Sequence, residues 1–279
     1  MSILYDLAEL EYHARPELSS TGARLLLEAP AKFKYRMDHP QEGKRAFDVG
    51  TAAHTKILGV GSGLVEYPDE HLTPSGNVST KAATVLWAEE QRSAGLTPVS
   101  PDDIAAVDAM AESVLAHPKA RELLEAKGHR EVSVVSEIDG VPVRARLDGL
   151  VELEGMTGLD LKTTRKTADV EGFARTSSDL GYFIQEAWYR EAIEAEGVPL
   201  DRFVFITVEK EPPYLVGVTV QDIIFQMMGK AATAEARRRY RHGMETGEWP
   251  GYSQEIEPAA PPAWMAMMYD EKYGTELTL

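Results

Sequence analysis

Val143-Arg-Ala-Arg-Leu-Asp148-Gly-Leu-Val151, followed by Gly158-Leu-Asp160-Leu-Lys162-Thr-Thr164, reads as two neighbouring β-strands carrying two carboxylates and a lysine. Asp160 lies twelve positions after Asp148. That is room to finish one strand, turn through Glu152 to Thr157 and start the next strand beside it. The two acids then face each other across adjacent strands. In Asp160-Leu161-Lys162 the period of two sends Asp160 and Lys162 to one face and Leu161 to the other, into a core. Paired carboxylates with an adjacent ammonium are the minimum set for metal-assisted hydrolysis of a phosphodiester. Spacing equally allows a plainer reading, in which Asp148-Gly149 ends a strand and Lys162 is solvated.

Working outward, Glu131 to Ile138 and Val141 to Val151 flank Asp139-Gly140, the dipeptide of a tight hairpin turn. The Asp160 strand follows, then a helix over 177–196, a buried strand over 202–208, a strand over 214–220 and a long helix from Gln221 to about Gly243. The Arg237 to Arg241 run suits that helix's C-terminal end. Upstream, 19–28 has hydroxyl caps and three leucines, with Pro30 expected to stop it. A second helix is expected over 46–58, with Phe47, Gly50, Ala53, His54 and Ile57 on one face. Residues 60–100 look irregular apart from a helix near 81–94. The 102–127 segment is helical in pattern, its stripe being Ile104, Val107, Met110, Val114 and Leu115. This order predicts an α/β core with a mixed sheet and a helical N-terminal elaboration. We expect one domain over 1–279: a mainly helical part to 127, a catalytic sheet with helices over 128–245, and a C-terminal extension from 246.

The chain of 279 residues is 43% hydrophobic, enough for a sizeable core. It has no apolar run near the roughly 18 residues of a membrane span. Its N-terminus lacks a basic region followed by an apolar one, so no membrane partner and a cytosolic setting are expected. With no cysteine, disulfides, thiolate zinc sites, iron–sulfur clusters and cysteine nucleophiles are excluded. The formal charge of −16 argues against a polyanionic partner, but charge is segregated. From Arg15 to Lys56 eight lysines and arginines meet five acids, whereas the last 35 residues hold seven acids and one lysine. The N-terminal segment is therefore the better place for phosphate contacts.

Glu131 begins the first hairpin strand, Asp148 lies late in the second and Asp160 starts the third, so the three acids converge at one edge of the sheet. Carboxylate oxygens suit Mg²⁺ or Mn²⁺. Lys162 would orient water or neutralise charge at phosphorus. His54, on a helix face of small residues, could complete a metal site; a lone histidine there is also commonly a hydrogen-bonded core residue. Tyr182, Gln185 and Tyr189 share one helix face directly after the Lys162 strand. That face could touch a scissile phosphate, or could simply be packed by aromatics.

In this order the motifs resemble the PD-(D/E)xK nuclease superfamily, and within it the exodeoxyribonuclease VIII (RecE) type of phages and prophages. Leu18-Ser-Ser-Thr-Gly-Ala-Arg-Leu-Leu-Leu-Glu-Ala-Pro30 with Phe33 and Tyr35 is similar to that group's N-terminal signature. Gly50-Thr-Ala-Ala-His54 resembles an element also seen in RecB-type nucleases. Arg146-Leu-Asp148, Asp160-Leu-Lys162-Thr-Thr164, Tyr182-x-x-Gln185-x-x-x-Tyr189, Val208 to Tyr214 and Trp249-Pro-Gly-Tyr252 continue the match over most of the chain. The acid at Asp148 follows leucine rather than proline, and Asp160 stands where other members have glutamate.

The resemblance implies a restriction-endonuclease-like core: a central mixed sheet flanked by helices. It implies that His54, Asp148, Asp160 and the Leu161 carbonyl hold a metal ion, with Glu131 serving a second ion or its waters. Lys162 would be the catalytic lysine, supported by Gln185 and Tyr189. Candidate DNA contacts are Ser20, Arg24, Lys32, Arg45, Arg146, Thr163, Thr164, Arg165 and Tyr182. The implied cofactor is one or two Mg²⁺ ions, with Mn²⁺ as substitute and no iron–sulfur cluster. The implied activity is resection of double-stranded DNA ends, 5′ to 3′, by a homo-oligomer (a ring, trimer or tetramer) working with a single-strand annealing recombinase. An endonuclease, a single-strand nuclease and a non-catalytic end-binding protein are the competing readings.

Overall fold

A computed structural model describes residues 2–5, 7–39, 49–61 and 63–277. Among these, the elements in chain order are β1 (Ser2–Leu4), α1 (Glu9–Ala14), α2 (Ser20–Glu28), α3 (Pro30–Asp38), α4 (Val49–Leu58) and β2 (Gly63–Glu66). Then come α5 (Ala82–Ser93), β3 (Leu96–Val99), α6 (Pro101–Ala116), α7 (Pro118–Glu125), β4 (Gly128–Ile138), β5 (Val141–Glu152) and β6 (Met156–Thr164). The chain continues through α8 (Val170–Leu180), α9 (Tyr182–Glu194), β7 (Arg202–Glu209), β8 (Val216–Thr219), α10 (Ile223–Thr246) and α11 (Ala263–Tyr273). Contacts divide it into two units, Met1–Trp249 and Pro250–Leu279. The second consists of an acidic, proline-containing stretch and α11, whose C-terminal turn is tied by Asp270 accepting from the Leu277 amide.

In the first unit six strands form a mixed sheet in the order β1-β4-β5-β6-β7-β8. Every ladder is antiparallel except β6 with β7, whose parallel pairing is reached through α8 and α9. One sheet face packs on Leu26 of α2, Trp188 and Ile193 of α9 and Ala236 of α10. The other packs on Ala53 and Ile57 of α4, Val107 and Met110 of α6 and Leu123 of α7. The expected restriction-endonuclease-like architecture is therefore present, as helix, sheet and helix layers with a core on each side of the sheet.

The β4–β5 register follows from its turn. Asp139 and Gly140 both have left-handed φ, 53° and 73°, so the two-residue loop pairs Ile138 with Val141 and every later pair is set by counting. Helix ends follow their caps: Ser19 on the Gly22 amide, Ser100 on Asp103, Asp169 on Gly172 and Asp222 on Phe225.

Several boundaries differ from expectation, each for a local reason. Pro30 does not end the helical run; it opens α3, because the first turn of a helix leaves its amides free anyway. The 102–127 helix is broken at His117-Pro118, where His117 caps the new helix. In α6 the buried stripe uses Ala111, and Leu115 is 40% exposed. The 177–196 helix is two helices, α8 starting earlier at Val170 and both meeting at left-handed Gly181. The 60–100 stretch contains a small parallel β2–β3 sheet, and α10 runs on to Thr246. Phe47, like the rest of 40–48, lies outside the described residues.

Trp188 joins layers: it is 1% exposed, and its indole N–H donates to the Arg144 carbonyl on β5 at 3.0 Å. Trp188→Ala should lower unfolding free energy by about 3–5 kcal/mol through the cavity and the orphaned carbonyl. Urea denaturation measures this, and an unchanged midpoint would contradict it.

Candidate active site

The site forms where the sheet opens. β5 and β6 pair only from Gly149 with Leu159 to Glu152 with Met156. Beyond that the strands part, and the upper half of β5 is flanked instead by Leu18, whose amide donates to the Pro142 carbonyl and whose carbonyl accepts from the Arg144 amide. The gap leaves the Leu161 amide without a ladder partner. The Asp148 carboxylate takes it at 2.6 Å.

Counting along the ladders places Glu131, Asp148 and Asp160 in one row across β4, β5 and β6. Glu131 has φ 53°, the left-handed region in which a side-chain-bearing residue is strained. There the alternation of β4 flips: Arg130 reaches the Leu124 carbonyl of α7, while Val132 packs into the opposite core.

Helices from both layers reach the opening. From α4, His54 places Nε2 at 2.5 Å from the Leu161 carbonyl oxygen and Nδ1 at 3.6 Å from Asp148. From α9, the Gln185 amide donates to Asp160 Oδ1 at 2.7 Å, and Tyr189 in turn hydrogen-bonds Gln185. Lys162 places its ammonium 2.6 Å from Asp160 Oδ2. Leu161 points away into the core, as the period of two predicts.

The ligand atoms of His54, Glu131 and Asp148 lie within 4.8 Å of one another. One imidazole and two carboxylates, beside a carbonyl oxygen, are a donor set that fits Mg²⁺ or Mn²⁺. Asp160 stands beside this trio with each oxygen already facing a protein donor and keeping a second lone pair.

Electrostatics follow from burial. Desolvation pushes the Asp148 carboxyl up to about 6, the neighbouring Asp160 charge adding to it while His54 and Lys162 oppose. Burial alone would lower the Lys162 ammonium, but Asp160 and Asp148 outweigh it and hold it above the usual lysine range. Burial likewise pushes Tyr189 well up, keeping it a neutral hydroxyl.

The expected DNA contacts are scattered. Arg146 is turned inward: Nε meets Glu131 at 2.5 Å, a terminal nitrogen donates to the Leu7 carbonyl, and its guanidinium lies over the Tyr12 ring. Tyr12, which no sequence motif marks, lies beneath both Arg144 and Arg146. Arg24 caps the Leu180 carbonyl at the end of α8. Lys32 pairs with Glu28, and other N-terminal bases are paired too: Arg15 with Glu17, Lys34 with Asp38, Lys56 with Asp108. Ser20 is buried in α2. Thr163 and Thr164 end β6 and exposed Arg165 follows it, with the Thr164 hydroxyl taking the Lys166 amide. Tyr182 lies against Lys162. Arg45 lies outside the described residues.

The sequence pattern of the family described as "PDDEXK-like domain of unknown function (DUF3799)" matches residues 19–260. No curated protein matches. Among solved structures, a candidate exonuclease from Eubacterium rectale superposes with a TM-score of 0.58 at 12% identity, covering 98% of this chain and 100% of its own; the likeness is one of fold. The structure of SSO0001, also 12% identical, covers 71% of this chain and 86% of its own at a TM-score of 0.30, too low to bear on the fold. Among the described residues no helix is long and apolar enough to cross a membrane.

Because Asp148 binds a proton below about pH 6, Mn²⁺ affinity measured by calorimetry should fall about tenfold between pH 7.5 and 5. An affinity independent of pH over that range would contradict the assignment. In the metal-free protein the raised pKa contributes stability that is complete below 3.8 and lost as pH rises through about 6. Asp148→Asn should therefore stabilise the metal-free fold at pH 7.5, on the order of 2 kcal/mol, with little gain at pH 4. Thermal unfolding at the two pH values checks the sign.

Proposed function

This chain belongs to the PDDEXK-like family DUF3799, and on that premise we propose that it is a divalent-metal-dependent DNA exonuclease of the exodeoxyribonuclease VIII type. The observation that carries the reading is the convergence of His54, Glu131 and Asp148 on one point, with Asp160, Lys162 and Gln185 linked beside it. A binding protein without chemistry has no need to bury a lysine among carboxylates at the open end of a strand pair.

His54, Asp148, Asp160 and the Leu161 carbonyl would hold Mg²⁺ or Mn²⁺, with Glu131 serving a second ion or its waters. Such an ion, when bound, polarises the phosphoryl group, acidifies water and stabilises the leaving oxygen. Lys162 steers the attacking water and balances charge at phosphorus. Gln185, held by Tyr189, keeps Asp160 in place. Arg146 neutralises Glu131 and keeps it aimed. The substrate is the double-stranded DNA end, degraded 5′ to 3′ to leave a 3′ strand for an annealing recombinase. The working form is a homo-oligomer of three or four subunits in the cytosol. A ring with inward-facing basic groups and an acidic exterior reconciles DNA binding with the charge of −16.

End-labelled linear duplex, nicked circles and closed circles are digested side by side with Mg²⁺. Linear duplex should lose its 5′ label first, and Asp160→Ala and Lys162→Ala should each reduce the rate at least about a hundredfold. Degradation of closed circles would make the protein an endonuclease. Early release of 3′ label would reverse the polarity, and undiminished activity of Lys162→Ala would remove that residue from its role.

A further inference from the structure

Lys162 is held from two sides, and only one of them is anionic. Asp160 lies 2.6 Å from the ammonium; on another side the nitrogen sits 4.9 Å from the centre of the Tyr182 ring. The ring is itself immobilised. It stacks on Phe205 with centroids 6.1 Å apart and lies beside Phe173 at 6.3 Å. It is the first residue of α9, directly after left-handed Gly181, and Arg24 from α2 clamps that corner through the Leu180 carbonyl. A Cβ at Gly181 would come within 2.9 Å of the Arg24 side chain, so corner and clamp fit only with glycine there.

We infer that Tyr182 is a positioning residue for Lys162, acting through the face of its ring, rather than a contact to DNA. This rests on the nuclease reading of the same site. The site already contains three carboxylates, and a fourth anion beside Lys162 would compete for any cation drawn there. A neutral π face holds the ammonium without that competition. It also keeps holding when Asp160 shares its charge with a metal ion and its pull on Lys162 weakens.

The test replaces Tyr182 by phenylalanine and then by mono-, di- and trifluorophenylalanine. These rings are nearly equal in size but progressively weaker in cation attraction, and thermal unfolding verifies that the fold is kept. Tyr182→Phe should keep kcat within about twofold, and the trifluoro ring should lower it about tenfold with KM for duplex DNA unchanged. In the metal-free protein, ¹⁵N spectra should show the Lys162 ammonium exchanging faster with the trifluoro ring than with tyrosine or phenylalanine at 182, and added Mg²⁺ should widen that difference. A flat kcat and flat protection across the series would overturn the inference. So would a loss already complete in Tyr182→Phe with raised KM, which would make the hydroxyl a DNA contact. If the wild type cleaves no DNA, the proposed function fails while the ammonium spectra still decide this inference.

Discussion

The hydrogen bond from the Leu161 amide to the Asp148 carboxylate governs the arrangement of this protein's site. Two strands that part inside a sheet leave backbone groups that neither water nor a ladder can satisfy, and each such group costs about 1–3 kcal/mol if left alone. Asp148 resolves that cost on one side of the gap and creates another, a carboxylate held in a desolvated place. Lys162, His54 and Arg146 then gather around the acids, as burial of charge demands. Their balance leaves Asp148 prone to take up a cation, whether a proton or a metal ion.

The gap also explains why ligands come from opposite layers. His54 rides on α4, packed on one face, and Gln185 on α9, packed on the other. In a continuous sheet the two side chains would be separated by a layer of backbone. Opening β5 from β6 lets both reach the same row of acids. The N-terminal segment then closes the exposed edge of β5 through Leu18, while Arg144 and Arg146 tie the backbone at Tyr12 and Leu7. These arginines are structural fasteners, so Arg146, expected as a DNA contact, is spent on Glu131 and the Leu7 carbonyl instead. Arg15, Lys32 and Lys34 of the N-terminal segment are taken up in ion pairs with acids within four residues in the chain.

Much of this was legible from residue order. The Asp139-Gly140 turn fixes the hairpin register by counting, and that register already sets Glu131 opposite Asp148 and diagonal to Arg146. The period of two correctly separated Leu161 from Asp160 and Lys162. Misreadings cluster at proline and glycine. Pro30 and Pro118 start helices as readily as they follow them, and Gly181 divides a segment whose apolar pattern runs through. The β2–β3 pair escaped notice because each strand is four residues long, too short for alternation to stand out.

What the sequence alone determined is the local chemistry: strand faces, caps, the hairpin register, and a carboxylate, lysine and glutamine set in an order specific enough to identify a superfamily. Those properties depend on neighbours a few residues away, or on counting across a tight turn. The tertiary structure decided where β5 and β6 part, that His54 arrives from the far layer, that Arg146 faces Glu131 and not solvent, and that Tyr182 lies against Lys162. These are contacts between residues far apart in the chain, set by how helices pack on a twisted sheet. No periodicity within one segment encodes them. Paired acids and a lysine were therefore readable as a set, whereas their burial, and the proton affinity it confers on Asp148, came only with the fold.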